Sequence, residues 1–211
     1  MLGYVMADKR FICGLGLTLL LCGCGGDGDE MSLTDYVDRV NAIAERASQQ
    51  GAELIAEGAQ VEDFTPQHLQ AGLERGLREI RIPLQAGADA IEPPEQVAEL
   101  HDLMWGWHAR FIPIEEALAA RAATAADTAA DWEALSDSPE MAAYRAAIAE
   151  GKQVCTDFQA KLDATADRGT FADTPWIPGE MKEVVEAVLG CAWFPEDPED
   201  VYRYPPATST P

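Results

Sequence analysis

Three histidines, His68, His101 and His108, are the first residues able to do acid–base or metal chemistry. His101 and His108 stand seven apart, two helical turns, and so share roughly one face of a helix. Two imidazoles so placed could reach a metal ion or haem only with ligands from other helices. No Glu-x-x-His precedes any of the three, as di-iron bundles require. Neither CxxCH nor HExxH occurs. The plain reading is a histidine pair on a surface or half-buried face beside tryptophans.

The neighbouring aromatics offer a second chemistry. Met104-Trp105-Gly106-Trp107-His108 packs two indoles into five residues. Trp105 and Trp107 are two apart and face different sides of a helix, so one should be partly exposed or lie under the C-terminal segment. His101, Met104, Trp105, Trp107 and His108 therefore form a candidate groove for a small ligand or a partner. The competing role is a staple that ties a loop to the helices. Trp176 and Trp193 lie nearer the C-terminus.

Other chemistries find no motif. There is no Gly-x-Ser-x-Gly elbow, and outside the first thirty residues no glycine-rich phosphate loop. Glu115-Glu116, Asp197 and Glu199-Asp200 do not follow the calcium-loop ladder and read as solvated acidic surface. No enzyme activity, cofactor or metal is expected. The chain has 37 Asp+Glu against 15 Lys+Arg, a formal net charge of −22 over 211 residues. Such a balance argues against nucleic acid and against electrostatic binding to anionic lipid.

These residues need helices to position them. Ser32-Leu-Thr-Asp35 has the spacing of a capping box, and an apolar stripe follows from Leu33 through Leu54 and Ile55. Thr65-Pro66 places an N-cap and a first-turn proline before Leu69, Leu73, Leu77 and Ile80. Gly72 and Gly76 beside them would let another helix approach closely. Pro83 should kink or end that helix near Arg81. Pro93-Pro94 begins a third helix, kinked at Pro113 and continuing through the alanine-rich stretch 117–130. Ser138-Pro139-Glu140 opens a fourth, stopped at Gly169, and residues 179–189 make a short fifth. No segment alternates as a strand would, and alanine, a strong helix former, occurs 35 times. The fold class is all-α: one bundle of about four main helices plus a short C-terminal helix, with residues 195–211 as a proline-rich acidic tail.

The N-terminal residues differ in kind. Lys9-Arg10 precedes eleven uncharged residues, Phe11 to Leu21, a run too short to span a bilayer as a helix. Leu21-Cys22-Gly23-Cys24 follows. This segment resembles the lipobox of bacterial lipoprotein precursors, over residues 1–26 only. The resemblance implies that residues 1–23 are a cleaved signal peptide. Cys24 would become the N-terminus and carry a diacylglyceryl thioether. Residues 24–31 would then be a flexible acidic tether and residues 32–194 the folded domain. It also implies the outer face of a plasma membrane or an outer membrane, with the lipid as the membrane contact. At least two acyl chains hold where one does not.

With Cys13 and Cys22 removed and Cys24 acylated, Cys155 and Cys191 are left. An even remainder outside the cytoplasm favours a Cys155–Cys191 disulfide. The expected function is a surface-tethered, non-enzymatic module meeting an envelope protein partner. The alternative is a ligand- or metal-binding bundle that uses the cluster at 101–111.

Overall fold

A computed structural model of the chain describes residues 31–58, 65–167, 169, 191 and 194–202. Among these residues the secondary structure is helical throughout, and the fold is an all-α bundle. Helix α1 spans Leu33–Gly58. Its start is fixed by Ser32, whose Oγ accepts the Asp35 N–H at 3.1 Å and donates to the Asp35 carboxylate at 2.7 Å. Helix α2 spans Pro66–Gly76 with Thr65 as its N-cap.

The chain does not break at Pro83. A π-helical turn, Leu77–Arg81, leads directly into α3, Ile82–Asp89. The Ile82 N–H reaches back to the Leu77 carbonyl, five residues away. This wider turn makes room for a proline ring that has no N–H to offer. Of the kink or end expected near Arg81, the helix takes a local change of pitch and does not end.

A short 3-10 turn, Glu95–Val97, precedes α4, Ala98–Ala122. Helix α4 carries Pro113 internally but ends earlier than the alanine run suggests. Thr124 hydrogen-bonds the Arg121 carbonyl, and Thr128 caps a separate α5, Ala129–Ser136, by accepting the Asp131 N–H. Alanine propensity is overridden by two threonines offering the backbone alternative partners. Helix α6, Pro139–Asp167, starts at Ser138, whose Oγ accepts the Met141 N–H at 3.2 Å. Beyond it Gly169 adopts φ +79, a left-handed conformation natural to glycine.

Helix α4 is the central element. It packs along α6 on one side and α2 and α3 on the other, while α1 lies against α3 and the π turn. Buried residues come from all of these, and Tyr36, Leu69, Leu100, Met104, Trp107, Phe111, Leu118, Leu135, Met141, Phe158 and Leu162 are the largest of those fully enclosed. The close helix approach falls at Gly151 of α6. A Cβ there would stand 2.7 Å from Trp107 Cζ2 and 2.7 Å from Phe194 Cζ. Among the described residues a Cβ at Gly72 would meet nothing within 4 Å, and one at Gly76 only Leu54 at 3.7 Å, so the approach expected at those two positions is not made by them.

Residues 195–202, read from composition as tail, are docked on the bundle as far as they are described. A 3-10 turn, Pro198–Asp200, lies within them. Lys152 Nζ donates to the Pro195 and Glu196 carbonyls at 2.9 and 2.7 Å, and Arg145 Nε to the Val201 carbonyl at 2.9 Å. Phe194, Val201 and Tyr202 pack against the core. Cys155 and Cys191 are joined as a disulfide, with Cα atoms 6.1 Å apart, which fastens this segment to α6. The helix expected at 179–189, the signal peptide expected at 1–23, residues 24–30 of the expected tether, Trp176 and Trp193 lie outside the described residues.

Candidate functional site

The five residues of the candidate groove all come from α4, and all are buried. His101 is 8 % exposed, Trp105 3 %, Met104 and Trp107 1 %, and His108 0 %. They line the interior of the bundle rather than an open surface, and they divide into two groups. Trp107 faces α6: it stacks on Phe111 at 4.8 Å, meets Phe194 edge-on at 6.0 Å and donates Nε1–H to the Ala147 carbonyl at 3.1 Å. It lies under the C-terminal segment and acts as a staple.

His101, Trp105 and His108 form a ladder on another side of α4. Ring centroids are 6.1 Å apart from His101 to Trp105 and 6.0 Å from Trp105 to His108. Tyr36 of α1 meets His101 Nδ1 through its hydroxyl at 3.1 Å. Burial, reinforced by the negative charge of Asp102, keeps the Tyr36 phenol protonated. A protonated hydroxyl can donate to or accept from a ring nitrogen, so the His101 tautomer sets the sense of this bond. Burial also lowers the His101 pKa, against the pull of Asp102 and Asp89.

The tautomer of His108 follows from a relay along α3. Gln85 Nε2 donates to Asp89 Oδ1 at 2.7 Å, which turns Gln85 Oε1 toward His108 Nδ1 at 2.9 Å. A carbonyl oxygen can only accept, so Nδ1 carries the proton. Burial, helped by the Arg81 charge, depresses the His108 pKa to about 3. The ring is therefore neutral, and Nε2 presents a lone pair. Among the described residues neither His108 Nε2 nor the buried Trp105 Nε1 has a hydrogen-bond partner.

A charged pair lies farther along the same helix. Arg81, at the end of the π turn, places Nε 3.3 Å from Glu115 Oε2 and its guanidinium over the Phe111 ring at 5.2 Å. Glu115 is 6 % exposed, and Oε2 lacks an aligned hydrogen bond despite that contact. Burial raises the Glu115 pKa against the opposing effect of Arg81. The Tyr144 and Tyr202 rings lie beside this pair, tilted at 38° with centroids 6.0 Å apart. Tyr202 holds φ +50, sparsely populated for a bulky residue. Arg145 binds the neighbouring chain ends together, donating to Val201, to the Ser136 carbonyl and to Ser136 Oγ.

Glu115 and Gln85 were not singled out as partners of Arg81 and His108 in the sequence. Glu115 did leave a signal. The α4 stripe through Met104, Trp107 and Phe111 reaches Glu115 at the next step of four, so a carboxylate falls on the apolar face. Gln85 left none, because its role depends on how α3 crosses α4.

Chemically, the cluster combines a neutral imidazole of fixed tautomer, an indole donor and a buried ion pair. Among the described residues no three His, Cys, Asp or Glu side chains gather as a metal site, and no helix is long and apolar enough to cross a membrane. No family model, curated protein or solved structure matches the chain, so its residues and their geometry carry the functional reading.

Proposed function

We propose that this chain is an exported bacterial lipoprotein. Its acidic helical bundle is held at the outer face of a membrane by acyl chains on Cys24 and serves there as a non-enzymatic envelope interaction or structural module. The observation that carries this reading is the order basic pair, eleven uncharged residues, Leu21-Cys22-Gly23-Cys24. A signal peptide needs that order, and a thioether-linked lipid needs a cysteine at that place.

Three features support it. The Cys155–Cys191 disulfide suits an oxidising compartment, since cytosolic thiols are kept reduced. Charge suits it as well. Residues 1–23 hold Lys9, Arg10 and Asp8, so the remainder keeps 13 basic and 36 acidic side chains, net −23. Such a body is repelled by anionic headgroups and stands off the membrane that anchors it. Gly25-Gly26-Asp27-Gly28-Asp29-Glu30 has the composition of a flexible, solvated tether.

Metabolic labelling with an alkyne fatty acid tests this reading. The wild-type chain should label and the Cys24→Ala chain should not. Equal labelling of both, or labelling of neither, would overturn it.

A further inference from the structure

We propose that Trp105 and His108 together hold one hydroxyl group inside the bundle, which accepts a hydrogen bond from the Trp105 indole N–H and donates one to His108 Nε2. The argument starts from the relay on α3. Asp89 accepts from Gln85 Nε2, Gln85 Oε1 accepts from His108 Nδ1, and Nε2 is left with a lone pair and no donor among the described residues. Trp105 Nε1 can only donate, and it has no acceptor among the described residues. Both residues are closed to solvent, at 3 % and 0 % exposure.

The two groups are matched in sense and in place. They are three residues apart on α4, so their side chains are neighbours on one face. Their rings meet edge-to-face, 80° apart, with centroids at 6.0 Å, and do not bond each other directly. A buried donor and a buried acceptor left unmet side by side are costly, and native interiors rarely carry such a pair. One oxygen that both accepts and donates satisfies the two at once. An anion would suit the indole but be repelled by the Nε2 lone pair. A metal ion would suit Nε2 but oppose the indole N–H. A hydroxyl group fits both, whether it belongs to a water molecule or to a small hydroxyl-bearing ligand. The site is independent of the lipid anchor, so either reading can fail without the other.

Nuclear magnetic resonance on the isotope-labelled protein tests it. The Trp105 indole proton should show a direct cross-peak to water, or else to the carbon-bound protons of a co-purified small molecule. The first outcome assigns the hydroxyl to water and the second to a ligand. The imidazole nitrogen shifts of His108 should report a protonated Nδ1 and a bare, hydrogen-bond-accepting Nε2. A Trp105 indole proton lacking both kinds of cross-peak, or a His108 protonated at Nε2, would overturn the proposal. In His108→Phe the Trp105 cross-peak should vanish. An unmoved Trp107 indole resonance, from the group bonded to Ala147, would show that the bundle is intact.

Discussion

Acid should weaken this bundle through His108, and the size of the effect follows from its surroundings. The imidazole is fully buried and Arg81 adds a positive charge, so its folded pKa falls to about 3 from an ordinary 6.5. Between those values the unfolded chain binds a proton that the folded chain refuses. Stability from this residue is therefore complete above pH 6.5 and is lost progressively as pH falls toward 3. Each pH unit in the window is worth about 1.4 kcal/mol, so moving from pH 7.5 to 4.5 should remove about 3 kcal/mol. The assay is urea unfolding of the oxidised protein at both pH values, for wild type and for His108→Phe. The substitution has its own cost at pH 7.5, but that offset cancels when the two pH dependences are compared. Relief of acidic repulsion and the titration of Glu115 also cancel where they are common to both chains. Glu115 works in the opposite direction, because its raised pKa makes it costlier as pH rises through the carboxylate range. Wild type should lose about 3 kcal/mol more than His108→Phe on acidification. Parallel pH dependences would refute the claim that His108 is held neutral in the folded state.

Two further outcomes follow from packing and the cross-link. Gly151→Ala should destabilise by about 1 kcal/mol, because overpacking against Trp107 and Phe194 outweighs the helix-propensity gain; Gly72→Ala, facing open space, should stabilise by up to about 1 kcal/mol, and equal signs in urea midpoints would contradict the placement of the close contact. Opening the Cys155–Cys191 bridge, whose residues are 36 apart, should cost about 4 kcal/mol in the chain-entropy model, lowering the calorimetric Tm by roughly 10 °C; an unchanged Tm in reductant would count against the cross-link.

Much of the fold was legible because helix starts are local. Ser32, Thr65-Pro66 and Ser138-Pro139 each act on backbone groups within one turn, and each cap is found where its residue types indicate. The disulfide was legible by a different route, through parity and compartment rather than geometry. What the sequence concealed depends on how separate elements meet. Pro83 reads as a breaker until the π turn before it is seen to absorb the ring. Residues 195–202 read as tail because proline and acidic residues dominate, although Val201 and Tyr202, with Phe194 just before them, are enough to dock the segment. The histidine–tryptophan cluster was found by type and spacing, but its burial was not. Helix α4 carries neighbours on several sides, so residues facing away from one partner meet another. The Gln85–His108 and Arg81–Glu115 contacts each join residues on different helices, and no local pattern encodes them.

The anchored-module account is tested most directly by intact-mass measurement of the chain extracted from the membrane fraction of cells that express it. It predicts a polypeptide beginning at Cys24, lacking residues 1–23, heavier than its sequence by a diacylglyceryl group with or without a further acyl chain, and lighter by two hydrogen atoms for the Cys155–Cys191 bridge. A water-soluble chain of unmodified mass, whether it still carries residues 1–23 or begins downstream of Cys24, would contradict it.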